Sequence, residues 1–240
     1  MRRETNLANY DWTKKYRKAF VLSYDDGVYQ DIRLVQILNQ YGLKCTFNLN
    51  SGLMNPPYVW EADGVKIERM TPDMLPEIYK GHEIASHTVK HADLTQMTDG
   101  EIFDDVRQDI CALEKLFGQK IQGFAYPFGS TDQRVKKLLA MCGIGYARGI
   151  QSTHSFEPPR DLLDISPTCR HKEDEIFDLA EQFVHWQPDT PKIFLLWGHS
   201  YEFDMQHGWE RFERFCEMIA GHDDIFYGTM GQSFLTEPVQ

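Results

Sequence analysis

The chain contains no C-x-x-C pair, and its five cysteines (Cys45, Cys111, Cys142, Cys169 and Cys216) are odd in number. That excludes a paired-cysteine zinc site and a fully paired disulfide framework. Their apolar surroundings predict buried free thiols, as in a reducing compartment. Long hydrophobic runs are missing too, so no membrane span is expected. Met1–Leu7 starts basic without a following apolar segment, which predicts no secretory leader and a cytoplasmic protein. Positive charge is scarce: 25 Lys and Arg stand against 36 Asp and Glu, a formal net charge of −11. An acidic surface argues against nucleic acid and anionic membranes as partners. The oligomeric state is left open. Internal repeats, low-complexity tracts and interdomain linkers are all absent.

What the chain does have is alternation. Apolar runs predict strands over residues 19–24, 45–49, 82–86, 121–125, 145–149, 162–166, 192–197 and 225–228. Helical spacing predicts helices over 31–41, 132–142, 173–186 and 208–219, and a short one from Thr229. Thr98 and Glu101 form a capping box at the head of another helix, whose spaced apolar residues are Ile102, Phe103, Val106, Ile110, Leu113 and Phe117. Thr71-Pro72 opens a short helix that Gly81 ends, and residues 50–70 read as a long loop. Such alternation implies parallel strands with helical crossovers. The expected fold is α/β: a single-domain distorted (β/α) barrel of seven to eight strands over residues 19–240, with residues 1–18 as an N-terminal arm. Residues 150–162 lack a helical pattern and predict an irregular stretch. A doubly wound sheet is the alternative, but Asp25-Asp26-Gly27-Val28-Tyr29 is no glycine-rich phosphate loop.

In a barrel of this kind the chemistry gathers where the strands end. Asp25 and Asp26 follow the first strand, His87 and His91 the third, and Tyr126–Gly129 the fourth. Arg148 ends the fifth, and His199 follows the strand over 192–197. All fall on one rim. Two histidines four residues apart, with a carboxylate, supply three ligands and leave open positions, which is how a catalytic divalent ion is held. Of two adjacent acids, one can bind the ion while the other takes a proton. A histidine leaving a buried strand suits a general acid. Tyr24, Tyr126, Phe128, Trp197 and Tyr201 are expected to line a pocket for a sugar ring. His207 stands near His199 in sequence.

These residues carry a family resemblance. Ser23-Tyr24-Asp25-Asp26-Gly27 and His87-Thr88-Val89-Lys90-His91 resemble the first two motifs of the polysaccharide deacetylases, the NodB-homology proteins of carbohydrate esterase family 4. Ala125-Tyr126-Pro127-Phe128 and Trp197-Gly198-His199 resemble two later ones. The resemblance spans about residues 19–235 and implies a NodB-like barrel that removes N- or O-acetyl groups from sugars with one divalent metal ion, zinc first, with cobalt, nickel, manganese or iron as alternatives. It implies that Asp26, His87 and His91 hold the metal, that Asp25 is the base and that His199 is the acid. It also implies that the backbone N–H of Phe128 meets the oxyanion, with Tyr126 and Trp197 beside the substrate. Ala125 stands where the family has an arginine that orients the base, so Arg148 or Arg170 is expected to substitute. The family's Asp-x-x-Asp-Trp motif is not evident, leaving Asp161 or Asp164 to orient the acid. Trp197 replaces a pocket leucine and is expected to reshape the acetyl pocket. Other readings are hydrolysis of a small non-sugar amide or cyclic imide, and a non-catalytic carbohydrate-binding relative.

Overall fold

The structure, a computed structural model, describes residues 11–235. Eight parallel strands form one curled sheet: β1 (Lys18–Asp25), β2 (Cys45–Leu49), β5 (Glu83–Ser86), β6 (Gly123–Ala125), β7 (Tyr146–Arg148), β8 (Cys169–Arg170), β9 (Lys192–Gly198) and β10 (Ile225–Gly228). Their order is β7-β6-β5-β2-β1-β9-β8. β9 runs along one edge of β1, while β10 pairs the start of β1 and β2 its end. The segment after β7 closes the circle. Ile165 bridges to Arg148, and Cys169–Arg170 then pairs with β9. This is the distorted (β/α) barrel that the alternation predicts.

The helices are α1 (Asp31–Gln40), α2 (Leu75–Ile78), α3 (Asp99–Phe117), α4 (Gln133–Met141), α5 (Ile176–His185), α6 (Glu202–Met205), α7 (Trp209–Ile219) and α8 (Met230–Phe234). α3 starts at the capping box of Thr98 and Glu101 and stops at Gly118, whose φ of 66° is a left-handed cap. No helix among the described residues is long and apolar enough to cross a membrane.

Alternation along the strands sorts the two faces. Phe20, Leu22 and Tyr24 of β1 pack outward under the helices, with Leu34, Leu38, Phe212 and Phe215. Ala19 and Val21 point inward, with Ile193 and Leu195 of β9, Tyr146 of β7, and Met230 and Phe234 of α8. This inner cluster plugs the floor of the barrel. Further along the same inward face come Ser23, Asp25, Asn48, Arg148 and Trp197, so the barrel changes from apolar to polar toward the strands' C-terminal ends.

Several expectations need correction. Residues 50–70 contain a hairpin, β3 (Val59–Ala62) with β4 (Val65–Glu68), whose alternating exposure hid it among loop residues. The strand expected over 162–166 is a single bridge, because the chain there crosses from β7 to β9. Thr71-Pro72 precedes a turn, and α2 begins only at Leu75 with Pro76 in its first turn. Phe103 is 38% exposed on the outer face of α3. Lys18, expected in the arm, opens β1, and its Nζ donates to the carbonyls of Phe183 and Val184. Residues 1–10 of that arm lie outside the described residues; Trp12 is buried and donates to the Ser233 carbonyl. Four cysteines are buried and free as expected, but Cys111 is exposed.

Candidate active site and metal centre

The site is built from the loops at the polar end. Asp26 follows β1 with a φ of 90°, and Gly27 with 68°. A Cβ at Gly27 would lie 2.8 Å from Leu49 Cδ2, so glycine is required where the chain turns off the strand. His87 leaves β5 into a tight turn in which Thr88 (φ 66°) and His91 (φ 58°) are also left-handed. Asn50 braces that turn by donating to the carbonyls of His87 and Thr88.

The turn brings one ligand atom each of Asp26, His87 and His91 within 4.8 Å of one another. Nδ1 of His87 lies 2.7 Å from the Ala125 carbonyl, which can only accept, so Nδ1 carries the proton. Nε2 of His87 is then a buried lone pair without a partner. Burial lowers the His87 pKa to about 4, with His91 adding to the effect and Asp25 and Asp26 opposing it. Burial lowers that of His91 as well. Two neutral imidazoles and a carboxylate fit a divalent ion such as zinc.

Asp25 stands beside this group. Its Oδ1 accepts from Asn48 Nδ2 at 2.7 Å and from the Arg148 guanidinium. Burial pushes its carboxyl up, but the charge and hydrogen bond of Arg148, with His199, outweigh this and hold it below the ordinary value. Arg148 is fully buried and also donates to Ser23 Oγ at 3.0 Å. It reaches Asp25 across the barrel from β7.

His199 closes the other side. Its Nε2 is 3.9 Å from Oδ2 of both Asp25 and Asp26. Its Nδ1 is 3.5 Å from Glu202 Oε2 and 3.1 Å from an Arg170 nitrogen. Burial lowers its pKa, but Glu202, Asp26 and Asp25 outweigh that and leave it raised. Arg170 donates to Glu202 through two nitrogens, at 3.1 and 2.6 Å. Asp164, expected as an orienter of the acid, lies away from it. Together with Asp161 it pairs with Lys136, each at 3.0 Å. Glu202 takes that place, three residues beyond His199 at the head of α6. Its position three residues after His199 is visible in the sequence, though it belongs to no Asp-x-x-Asp-Trp pattern.

These groups line a cleft of about 730 Å³. Tyr126, Phe128, Trp197 and Tyr201 line it as expected; Tyr24 does not, being stacked on His171 in the core. Phe128 has a φ of 59° and sets its ring edge against His91. Both Arg148 and Arg170 lie over the Trp197 ring, 4.9 and 4.7 Å from its centre. His207 is exposed and is not among the cleft residues. Sequence reasoning missed Arg69, Tyr58 and Trp60, which enter from the hairpin, and Lys90 on the rim.

The molecule is thus a distorted parallel (β/α) barrel with two histidines and two aspartates gathered at the C-terminal ends of its strands. The polysaccharide deacetylase family profile matches residues 13–147, and the chain belongs to that family. A chitin deacetylase of Pestalotiopsis sp is 30% identical over 151 residues, covering 62% of this chain and 47% of the relative. The match thus spans about half of that protein's length. Among solved structures, the Xyl-CE4 domain of a multidomain xylanase from the hindgut metagenome of Trinervitermes trinervoides superposes with a TM-score of 0.59 at 18% identity, covering 93% of each chain. A Mycobacterium smegmatis protein assigned to the polysaccharide deacetylases reaches a TM-score of 0.67 at 18% identity, covering 92% of this chain and 90% of its own. These two likenesses bear on the fold.

Proposed function

We propose that the protein is a divalent-metal-dependent hydrolase that removes acetyl groups from an N-acetylated or O-acetylated sugar or glycan. The observation that carries this reading is the unpartnered Nε2 of neutral His87, buried beside His91 and Asp26, with an ionised acid and a raised-pKa histidine next to it. Asp26, His87 and His91 hold the ion. When bound, zinc or a similar ion supplies a Lewis acid that polarises the acyl carbonyl and makes water a stronger acid.

The side chains do the rest. Arg148 and Asn48 occupy Oδ1 of Asp25, leaving Oδ2 toward the cleft to take a proton from the attacking water. The Phe128 backbone N–H meets the oxyanion as the carbonyl carbon becomes tetrahedral. His199, its charge favoured by Glu202 3.5 Å from Nδ1, gives its Nε2 proton to the leaving amine. The C–N bond breaks, acetate leaves, and the freed sugar amine remains. Glu202, itself gripped by Arg170, is a positioning residue for His199.

The test is acetate release from N-acetylglucosamine oligomers by metal-reconstituted protein, with a chelated control and Asp25→Asn. Release that needs both metal and Asp25, with kcat down on the order of 10²- to 10⁴-fold in the variant, supports the reading. Protein that holds one metal yet releases nothing moves the substrate to a small amide or cyclic imide. Sugar binding without turnover moves it to a carbohydrate-binding role.

A further inference from the structure

We propose that Arg69 is a positioning residue for the metal ligand Asp26, removing one carboxylate oxygen from the ligand set and holding the other toward the two imidazoles. This rests on the reading of Asp26, His87 and His91 as metal ligands. Arg69 is 4% exposed and sits just past the end of β4. One guanidinium nitrogen donates to Oδ1 of Asp26 at 2.8 Å. Another donates to the Asp26 backbone carbonyl and, at 2.6 Å, to Oδ1 of Asn50. Asn50 in turn holds the carbonyls of His87 and Thr88. A single guanidinium therefore joins the loop bearing the carboxylate to the turn bearing both histidines.

Asp26 needs such a hold. Its positive-φ backbone is unfavourable for a non-glycine residue and persists only where surrounding bonds impose it. Arg69 grips the residue at both its carbonyl and its side chain. With Oδ1 engaged, Oδ2 is the oxygen left for the ion, on the side that faces His199 Nε2 at 3.9 Å. The main chain fixes Arg69 in turn: its N–H donates to the Tyr58 carbonyl at 3.0 Å, and it bridges Val28.

The sign of the effect separates this role from simple charge balance. By Coulomb's law alone, removing a cation beside Asp26 tightens the grip on a divalent ion. Loss of positioning weakens it, by on the order of 10- to 100-fold for partners of metal ligands. The experiment titrates zinc into metal-free wild type, Arg69→Gln and Arg69→Lys against a chromophoric chelator. It also records the visible spectrum of each cobalt-loaded protein, which changes with the number of ligand atoms. The expected result is weaker zinc binding by that factor in Arg69→Gln, a smaller loss in Arg69→Lys, and an altered cobalt spectrum in the former. If Arg69→Gln does not fold, Arg69→Lys decides alone: it keeps the charge, so weaker binding there is loss of the forked geometry. Unchanged or tighter binding in the folded variants overturns the proposal. Wild type that binds neither ion overturns the metal reading itself, and this inference with it.

Discussion

At the scale of single residues, the site depends on which partner each titrating group has been given. Glu202 is the clearest case, since it faces His199, His171, Lys172 and Arg170 at once. Glu202→Gln keeps the shape and removes the charge that raises the His199 pKa. We expect kcat and kcat/KM to fall together, by on the order of tenfold, with KM nearly unchanged in steady-state kinetics. Asp31 differs, because its carboxylate is buried and accepts from Tyr79 and Ser200 without a countercharge. Burial raises its pKa to about 7, against hydrogen bonds that lower it. The folded state therefore holds the proton more tightly than the unfolded chain. Asp31 costs nothing below about pH 4, and stability is lost as pH rises from there through about 7, by roughly 4 kcal/mol in all. Denaturant unfolding of the metal-free protein at a series of pH values should show this slope. Asp31→Asn should flatten it, and an equal slope in both proteins would remove Asp31 as its source.

At the scale of elements, the β3–β4 hairpin gives the cleft its aromatic wall. Trp60 sits 5.7 Å from Tyr58 and 5.6 Å from Tyr201, and Arg69 lies 5.5 Å from its ring centre. Trp60→Ala should raise KM for a glycan roughly fivefold, the equivalent of about 1 kcal/mol of aromatic contact, with kcat held. An equal rise for acetylated small amides would mean that the wall does not read sugar. The hairpin was also the element least legible in the sequence. Its strands are only four residues long and mostly part-exposed, and although Val65 and Ile67 of β4 alternate with Lys66 and Glu68, so short a run does not stand out from a loop. β1, β2 and β9 were legible because burial on both faces leaves continuous apolar runs. Asp25, Asp26, His87 and His91 stand out in two short motifs, and His199 at a strand end, while their expected roles came from the family resemblance. Arg69, just past β4, and Glu202, at the head of α6, meet their partners across space, so neither stood out in the sequence. Arg148 showed only as a charge at the end of an apolar strand, and its partner Asp25 required the fold.

At the scale of the whole molecule, the barrel is a ring with one irregular seam between β7 and β9, where residues 150–168 run without a regular strand. Its floor is apolar and plugged by α8, while its mouth carries Asp25, Asp26, Arg69, Arg148 and His199. Arg148 spans this interior to Asp25, 123 residues away along the chain. A bond of that separation forms only once the ring has come round on itself, and such distant contacts are slow to assemble. A nascent chain that has emerged only as far as β6 thus lacks the guanidinium that directs Asp25. The carboxylate gains its direction when β7 arrives, and the histidine opposite it comes only after β9, so the site is finished late and from distant parts of the chain.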